Sequence, residues 1–391
     1  PEESFDTTMD LSGHLVIPGL YNLHTHTGMT SLRGLGSGLP LHDWLHQAMF
    51  PIESQFADND LTWNARIAMM EMIASGVVSF SDMYRSPWLT AESVADNGMK
   101  ANLSSPYMTK DFSKPELDQI RIDMADKFFR EYHKHANGRI RADYAIHAEY
   151  TSLSESVRQY SEHCRQSGAR MHLHLSETAK EHGECIKRQG KTPAQFFNDL
   201  GTFENPTNAA HCVMVSDEDI AIMAEKGVTA IHNPSSNMKL GSGFMPIRKL
   251  FDANVRVALG TDSTGSNNNQ NLIEEMHVAS LIHTGISKDP TLLTAENILT
   301  MATSAGAEAQ GRLDCGRIKP GNKADLAILD LRKPHLQPAH HYPALVVYSA
   351  QASDVVYTII DGKIIYDHGE YLTIDAEKTI QEYVTAFSRF K

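Results

Sequence analysis

Eight short apolar runs recur along this chain, each followed by a helical stretch, and this alternation restricts the fold more than any other feature. The runs lie near residues 19–24, 76–82, 100–105, 139–147, 170–175, 207–211, 228–232 and 256–262. Rich in Val, Ile, Leu and Ala and too short for helices, they read as strands buried on both faces, which is the pattern of a parallel sheet. Parallel neighbours need a crossover between them, and the helical segments supply it. Eight such units predict an α/β fold closed as a (β/α)8 TIM-like barrel, whose chemistry stands at the C-terminal ends of the strands.

Those ends are crowded with imidazoles and carboxylates. The first run closes on His24 and His26, which share a face because residues two apart on a strand point the same way. The fourth ends in His147, the fifth carries His172 and His174 with Glu177 just beyond, the sixth ends in His211, the seventh in His232 and the eighth in Asp262. A chance scatter of 20 histidines would not mark successive strand ends in this way. Neutral imidazoles with a carboxylate form a donor set for a divalent ion, leaving it net positive charge and room for a water. On the fifth run His174 stands nearer the barrel mouth and is the better ligand, with His172 behind it. His232 is either pocket wall or packing. His42, His46, His340 and His341 have no strand context and read as solvated.

Composition narrows the partners. A formal charge of -13 with no Lys/Arg-rich cluster argues against nucleic-acid polymers and anionic membrane surfaces. No apolar stretch approaches the roughly 18 residues of a spanning helix, and no secretory start is evident, so a soluble protein is expected. Cys164, Cys185, Cys212 and Cys315 lie far apart, which suits reduced thiols in a cytoplasm better than a disulfide framework.

Five segments carry a family resemblance running from about Gly13 to Gly369: Ile-Pro-Gly-Leu-Tyr-Asn-Leu-His-Thr-His, His-Leu-Ser-Glu-Thr, Ala-Ala-His-Cys-Val, His-Asn-Pro-Ser-Ser-Asn-Met-Lys-Leu and Leu-Gly-Thr-Asp-Ser-Thr-Gly-Ser-Asn-Asn. The chain resembles the amidohydrolase superfamily, in particular its deaminases of methylthioadenosine, S-adenosylhomocysteine and similar adenosine-type compounds. The resemblance implies that His24, His26, His174 and Asp262 hold one divalent metal, zinc first, with iron or manganese as alternatives. Glu177, His211 and Asp262 would be the catalytic groups. Binuclear relatives carry a Lys at the end of strand 4; none lies in Arg-Ala-Asp-Tyr-Ala-Ile-His-Ala-Glu, which favours a single ion.

The implied reaction converts the six-amino group of an adenosine-like nucleoside, such as 5'-deoxyadenosine, methylthioadenosine, S-adenosylhomocysteine or adenosine, to the inosine-type product and ammonia. Asp262 would take a proton from water, Glu177 would hand one to the ring, and His211 would stabilise the oxygen of the adduct. For the substrate, the resemblance implies Trp44 as an aromatic wall, Glu53 for the ribose hydroxyls, His147 for a ring nitrogen and Ser266 for the purine. The alternative is a deaminase or chlorohydrolase of another heterocycle, namely guanine, cytosine, a pterin or an s-triazine, since fold does not fix substrate. Glu149 replaces a proline usual in relatives, and the Ser105–Lys114 stretch lacks their carboxylate-binding arginine, for which Lys110 or Arg85 would have to substitute. Without such a partner a small 5' group is favoured, because an unpaired carboxylate is costly to bury.

Beyond the barrel, Asp-Gly turns between short apolar runs predict a small β-rich unit from residues 1–16 and 316–391, with its N-terminal strands incomplete, beside a catalytic barrel of residues 17–315. Residues 375–389 read as a helix. Homo-oligomers are expected by analogy alone.

Overall fold

The computed structural model describes residues 8–109, 111–115 and 118–390. Its strands in chain order are β1 (His14–Pro18), β2 (Leu20–Thr25), β3 (Val77–Met83), β4 (Lys100–Ser104), β5 (Pro106–Tyr107), β6 (Ile140–Ala142), β7 (Tyr144–Ile146) and β8 (Met171–Leu175). They continue with β9 (Thr207–His211), β10 (Thr229–His232), β11 (Val257–Leu259), β12 (Leu326–Asp330), β13 (Val355–Ile360), β14 (Lys363–Asp367) and β15 (Glu370–Tyr371). Two parallel arcs, β2-β3-β4-β6 and β11-β10-β9-β8-β7-β5, make the expected barrel, with helices in the connections. Almost every residue of these strands is buried, as strands covered on both faces require.

The run expected as one strand over 139–147 is in fact two, broken at Asp143. β6 pairs with β4, whereas β7 pairs with β8, so the break passes the chain from one arc to the other. Asp143 sits in the kink, its amide donating to Leu103 O and its carboxylate accepting from Asn102 Nδ2 at 2.8 Å.

At the other seam β2 meets the segment after β11. Thr25 bridges Asp262 in parallel, and the Asp262 amide donates to His24 O at 2.8 Å. Gly260 makes this seam possible: a Cβ there would lie 2.5 Å from Asn233 Oδ1 and 2.9 Å from His24 N. The first and last barrel strands thus bring residues 238 positions apart in sequence into direct contact.

A separate antiparallel sheet, β1-β12-β13-β14-β15, packs beside the barrel. Ile17 and Pro18, counted above with the barrel, pair here with Ala327 and Leu326, so the chain passes between sheets at Gly19. The C-terminal helix spans Ala376–Phe387. Among the described residues no helix is long and apolar enough to cross a membrane.

Candidate active site

Four side chains from three strand ends converge inside the barrel mouth. His24 and His26 come from β2, His174 from β8, and Asp262 from the turn after β11, where its backbone takes the left-handed φ of +62°. His26 Nδ1 lies 2.7 Å from Met83 O, and His174 Nδ1 lies 2.8 Å from His147 O. A carbonyl only accepts, so each ring carries a proton on Nδ1 and turns Nε2 inward. Those two Nε2 atoms face each other at 3.4 Å. Asp262 Oδ1 lies 3.3 Å from His26 Nε2 and 3.5 Å from His24 Nε2, and the latter is buried with no hydrogen-bond partner among the described residues.

Lone pairs aimed at one another and at a carboxylate repel unless a positive charge lies among them. Burial pushes His24 down to about 3 and His174 well below its ordinary range. Burial also opposes charge on His26, yet the Asp262 carboxylate lifts that ring to about 9, while His24 and His26 hold Asp262 well below the usual carboxylate range despite its burial. The group therefore accommodates about one cation among several nitrogens, and three imidazoles with one carboxylate fit a divalent ion. His24 Nδ1 rests 2.9 Å from His172 Nε2, so the histidine set behind the ligands orients one of them.

Glu177 and His211 stand beside this group. Their side chains approach at 3.7 Å between Oε2 and Nε2. His211 is held from behind by Asn237 Oδ1, 2.8 Å from its Nδ1, which leaves Nε2 for the cavity. His211 also takes a left-handed φ of +74°. Burial raises Glu177 above the ordinary carboxyl range, in part offset by His211.

A cavity of about 210 Å³ opens over these groups and is lined by His26, His174, Asp262, Glu177, His211, His147, Trp44 and Glu53 among others. Burial brings His147 down to about 4, so it stands neutral. Tyr84 donates its hydroxyl to Glu53 Oε1. Trp44 lies in a helical segment whose residues Trp44–Met49 have π-helical bonding, a local widening that is common at functional sites. Leu41, Leu45, Phe50 and Met108 also line the cavity.

Ser266 is elsewhere. It is 1% exposed and does not line the cavity; its hydroxyl donates to Asp262 Oδ2 at 2.9 Å, beside Ser236 Oγ at 2.5 Å. His232 is likewise outside the cavity and meets His283, Nε2 to Nε2, at 2.9 Å. Arg85 lines the cavity but donates to the carbonyls of Glu53 and Phe56, and Lys110 lies outside the described residues. Met83 and Tyr84 escaped sequence reasoning because a backbone carbonyl and a lone tyrosine carry no motif. Ser236 and Asn237 had a signal, since both stand in His-Asn-Pro-Ser-Ser-Asn-Met-Lys-Leu.

Residues 15–365 match the amidohydrolase family. The chain is 42% identical to the 5-methylthioadenosine/S-adenosylhomocysteine deaminase of Acetivibrio thermocellus, over 95% of this chain and 86% of that one. It is 41% identical to the 5'-deoxyadenosine deaminase of Methanosarcina mazei, over 97% and 88%. Among solved structures, an adenosine deaminase from Xanthomonas campestris with bound zinc superposes with a TM-score of 0.90 at 30% identity, over 96% of this chain and 86% of that one. A zinc-complexed atrazine chlorohydrolase from Arthrobacter aurescens shares the fold, with a TM-score of 0.90 at 22% identity over 96% and 88%.

Proposed function

The chain belongs to the amidohydrolase family, and we propose that it is a metal-dependent hydrolase that deaminates an adenosine-like nucleoside at its six-amino carbon. The observation that carries this reading is the clustering of the His24, His26 and His174 nitrogens, with Asp262 against the first two, Glu177 close by and a cavity over them. His24, His26, His174 and Asp262 would hold a single ion, zinc first. When bound, the ion supplies the Lewis acidity that makes a water nucleophilic near neutral pH.

The protein's own groups then divide the proton traffic. Asp262 takes one proton from the attacking water through Oδ1, while Ser236 and Ser266 keep Oδ2 turned away. Glu177 delivers a proton to the ring nitrogen beside the amine-bearing carbon. His211, fixed through Nδ1 by Asn237, presents Nε2 to the oxygen as charge develops on it. The proton held on Asp262 passes to the departing amine, the carbon–nitrogen bond breaks, the remaining hydroxyl proton of the adduct returns to Glu177, and the inosine-type product and ammonia remain.

Glu53, braced by Tyr84, receives the ribose hydroxyls; Trp44 and neutral His147 flank the base. The outer wall of Leu41, Leu45, Phe50 and Met108 favours a small apolar 5' group, as in 5'-deoxyadenosine or methylthioadenosine, over an amino-acid tail. A cytoplasmic location belongs to the same reading, supported by four buried cysteines free of disulfides. So does self-association, for which exposed Leu281, Ile286, Tyr342 and Tyr348 offer apolar surface.

The deciding experiment follows the ultraviolet change of adenine to hypoxanthine across 5'-substituted adenosines and free bases, with metal analysis of the same preparation. Turnover of nucleosides is expected. Activity confined to free bases or triazines would replace this reading with the broader one of another amidohydrolase substrate.

A further inference from the structure

We infer that Glu181 is a positioning residue that sets where Glu177 can place its proton; the inference rests on the role proposed for Glu177. After β8 the chain must reverse within a few residues into the helix Ala179–Gln189. Ser176 turns the corner with a left-handed φ of +48°, and Glu177 follows it. The carboxylate of Glu181, 7% exposed, reaches back across this corner. Its Oε1 accepts from the Ser176 amide at 3.1 Å and its Oε2 from the Glu177 amide at 2.7 Å. Each oxygen is thus committed to one of two successive amides, and the two bonds clamp the backbone on which Glu177 stands.

The side chain of Glu177 has no comparable hold of its own. Its contacts are 3.4 Å to Ser242 Oγ and 3.7 Å to His211 Nε2, both too long to locate a carboxyl group tightly. Its position is therefore inherited from its backbone. The start of the helix does not need Glu181 for this purpose, because Thr178 Oγ1 already caps it by accepting from the Glu181 amide at 3.1 Å.

Glu181→Gln keeps the shape but leaves only one acceptor oxygen, with an amide group opposed to the other N–H. A displacement of the order of 1 Å at a reacting group can cost about 100-fold in rate. The test is a double-mutant cycle of Glu181→Gln and Glu177→Gln on the metal-loaded enzyme, with Thr178→Val as a control for helix capping. The expected result is that E181Q retains its metal and its KM, loses about 10-fold to 100-fold in kcat, and adds nothing further to E177Q. T178V should melt earlier yet keep its kcat. Losses that multiply in the double variant, or a fall in kcat for T178V as large as for E181Q, would overturn the inference. If E181Q does not fold, Glu181→Asp, which can reach only one amide, takes its place with the same criteria. Full turnover of E177Q alone would instead refute the role of Glu177 itself, and with it the reading on which this one rests.

Discussion

His26 and His174 face each other Nε2 to Nε2 at 3.4 Å, each ring oriented by a main-chain carbonyl that accepts from its Nδ1 on the opposite side. Two ring nitrogens at that distance, with Asp262 and His24 closing the group, describe a place that favours a cation, a proton or a metal ion. The arrangement needs no rearrangement to take an ion, because the rings are already oriented.

Removing the metal should therefore destabilise the fold as well as abolish turnover. Dialysis against a chelator is expected to lower the melting temperature, and zinc should restore it by binding the native state alone. His26→Ala should lose the metal under the same conditions. Unchanged melting after complete removal, measured by metal analysis and calorimetry, would count against this donor set.

The Asp262 carboxylate divides its work, with Oδ1 toward the histidines and Oδ2 toward Ser236 and Ser266. Ser266→Ala is expected to weaken metal affinity or kcat about tenfold, the usual scale for losing a group that orients a ligand, with KM little changed. A raised KM with kcat and metal affinity intact would restore Ser266 to the substrate side.

The carboxylate of Glu149 is buried, with Oε1 2.6 Å from Arg188 Nη2 and Oε2 unpartnered among the described residues. The pair ties the loop that follows His147 to the helix that follows Glu177. Arg188→Ala should cost about 1–3 kcal/mol in urea denaturation by leaving that carboxylate unpaired. Glu149→Gln in the same chain should recover part of the loss. A double variant as unstable as the sum of the two singles would show that they do not interact.

Stability should also depend on pH through Glu275. Burial raises its carboxyl from 4.5 to about 7, against the opposing hydrogen bonds of Ser235 and Asn267. The folded protein thus holds this proton more tightly than the unfolded chain does. Its stabilising contribution is complete below pH 4.5 and is lost as pH rises through 7. The melting temperature should fall between pH 5 and pH 8, and Glu275→Gln should flatten that slope. An identical slope in the variant would assign it to other groups.

The barrel and the crowding of imidazoles and carboxylates at its strand ends were legible in the order of residues because both rest on local rules. Short apolar runs fix where strands lie, a period of two fixes which side chains share a face, and the end of a parallel strand is where a barrel carries its chemistry. That logic puts His24, His26, His174, His211 and Asp262 at strand ends with Glu177 just beyond, and the structure brings these side chains together, while their roles come from the family resemblance.

Tertiary structure alone decided the rest. The carbonyls of Met83 and His147 select the histidine tautomers, and every residue has a carbonyl, so nothing in the sequence distinguishes those two. Ser266 faces Asp262 because its turn folds back over the barrel seam, and a polar turn does not reveal which way it folds. The fourth strand breaks at Asp143, where its pairing passes from β4 to β5 and β8, a partner set that no single segment contains. Local sequence can specify an element and the face it buries; the groups that orient a site come from distant parts of the chain and are brought together only by packing.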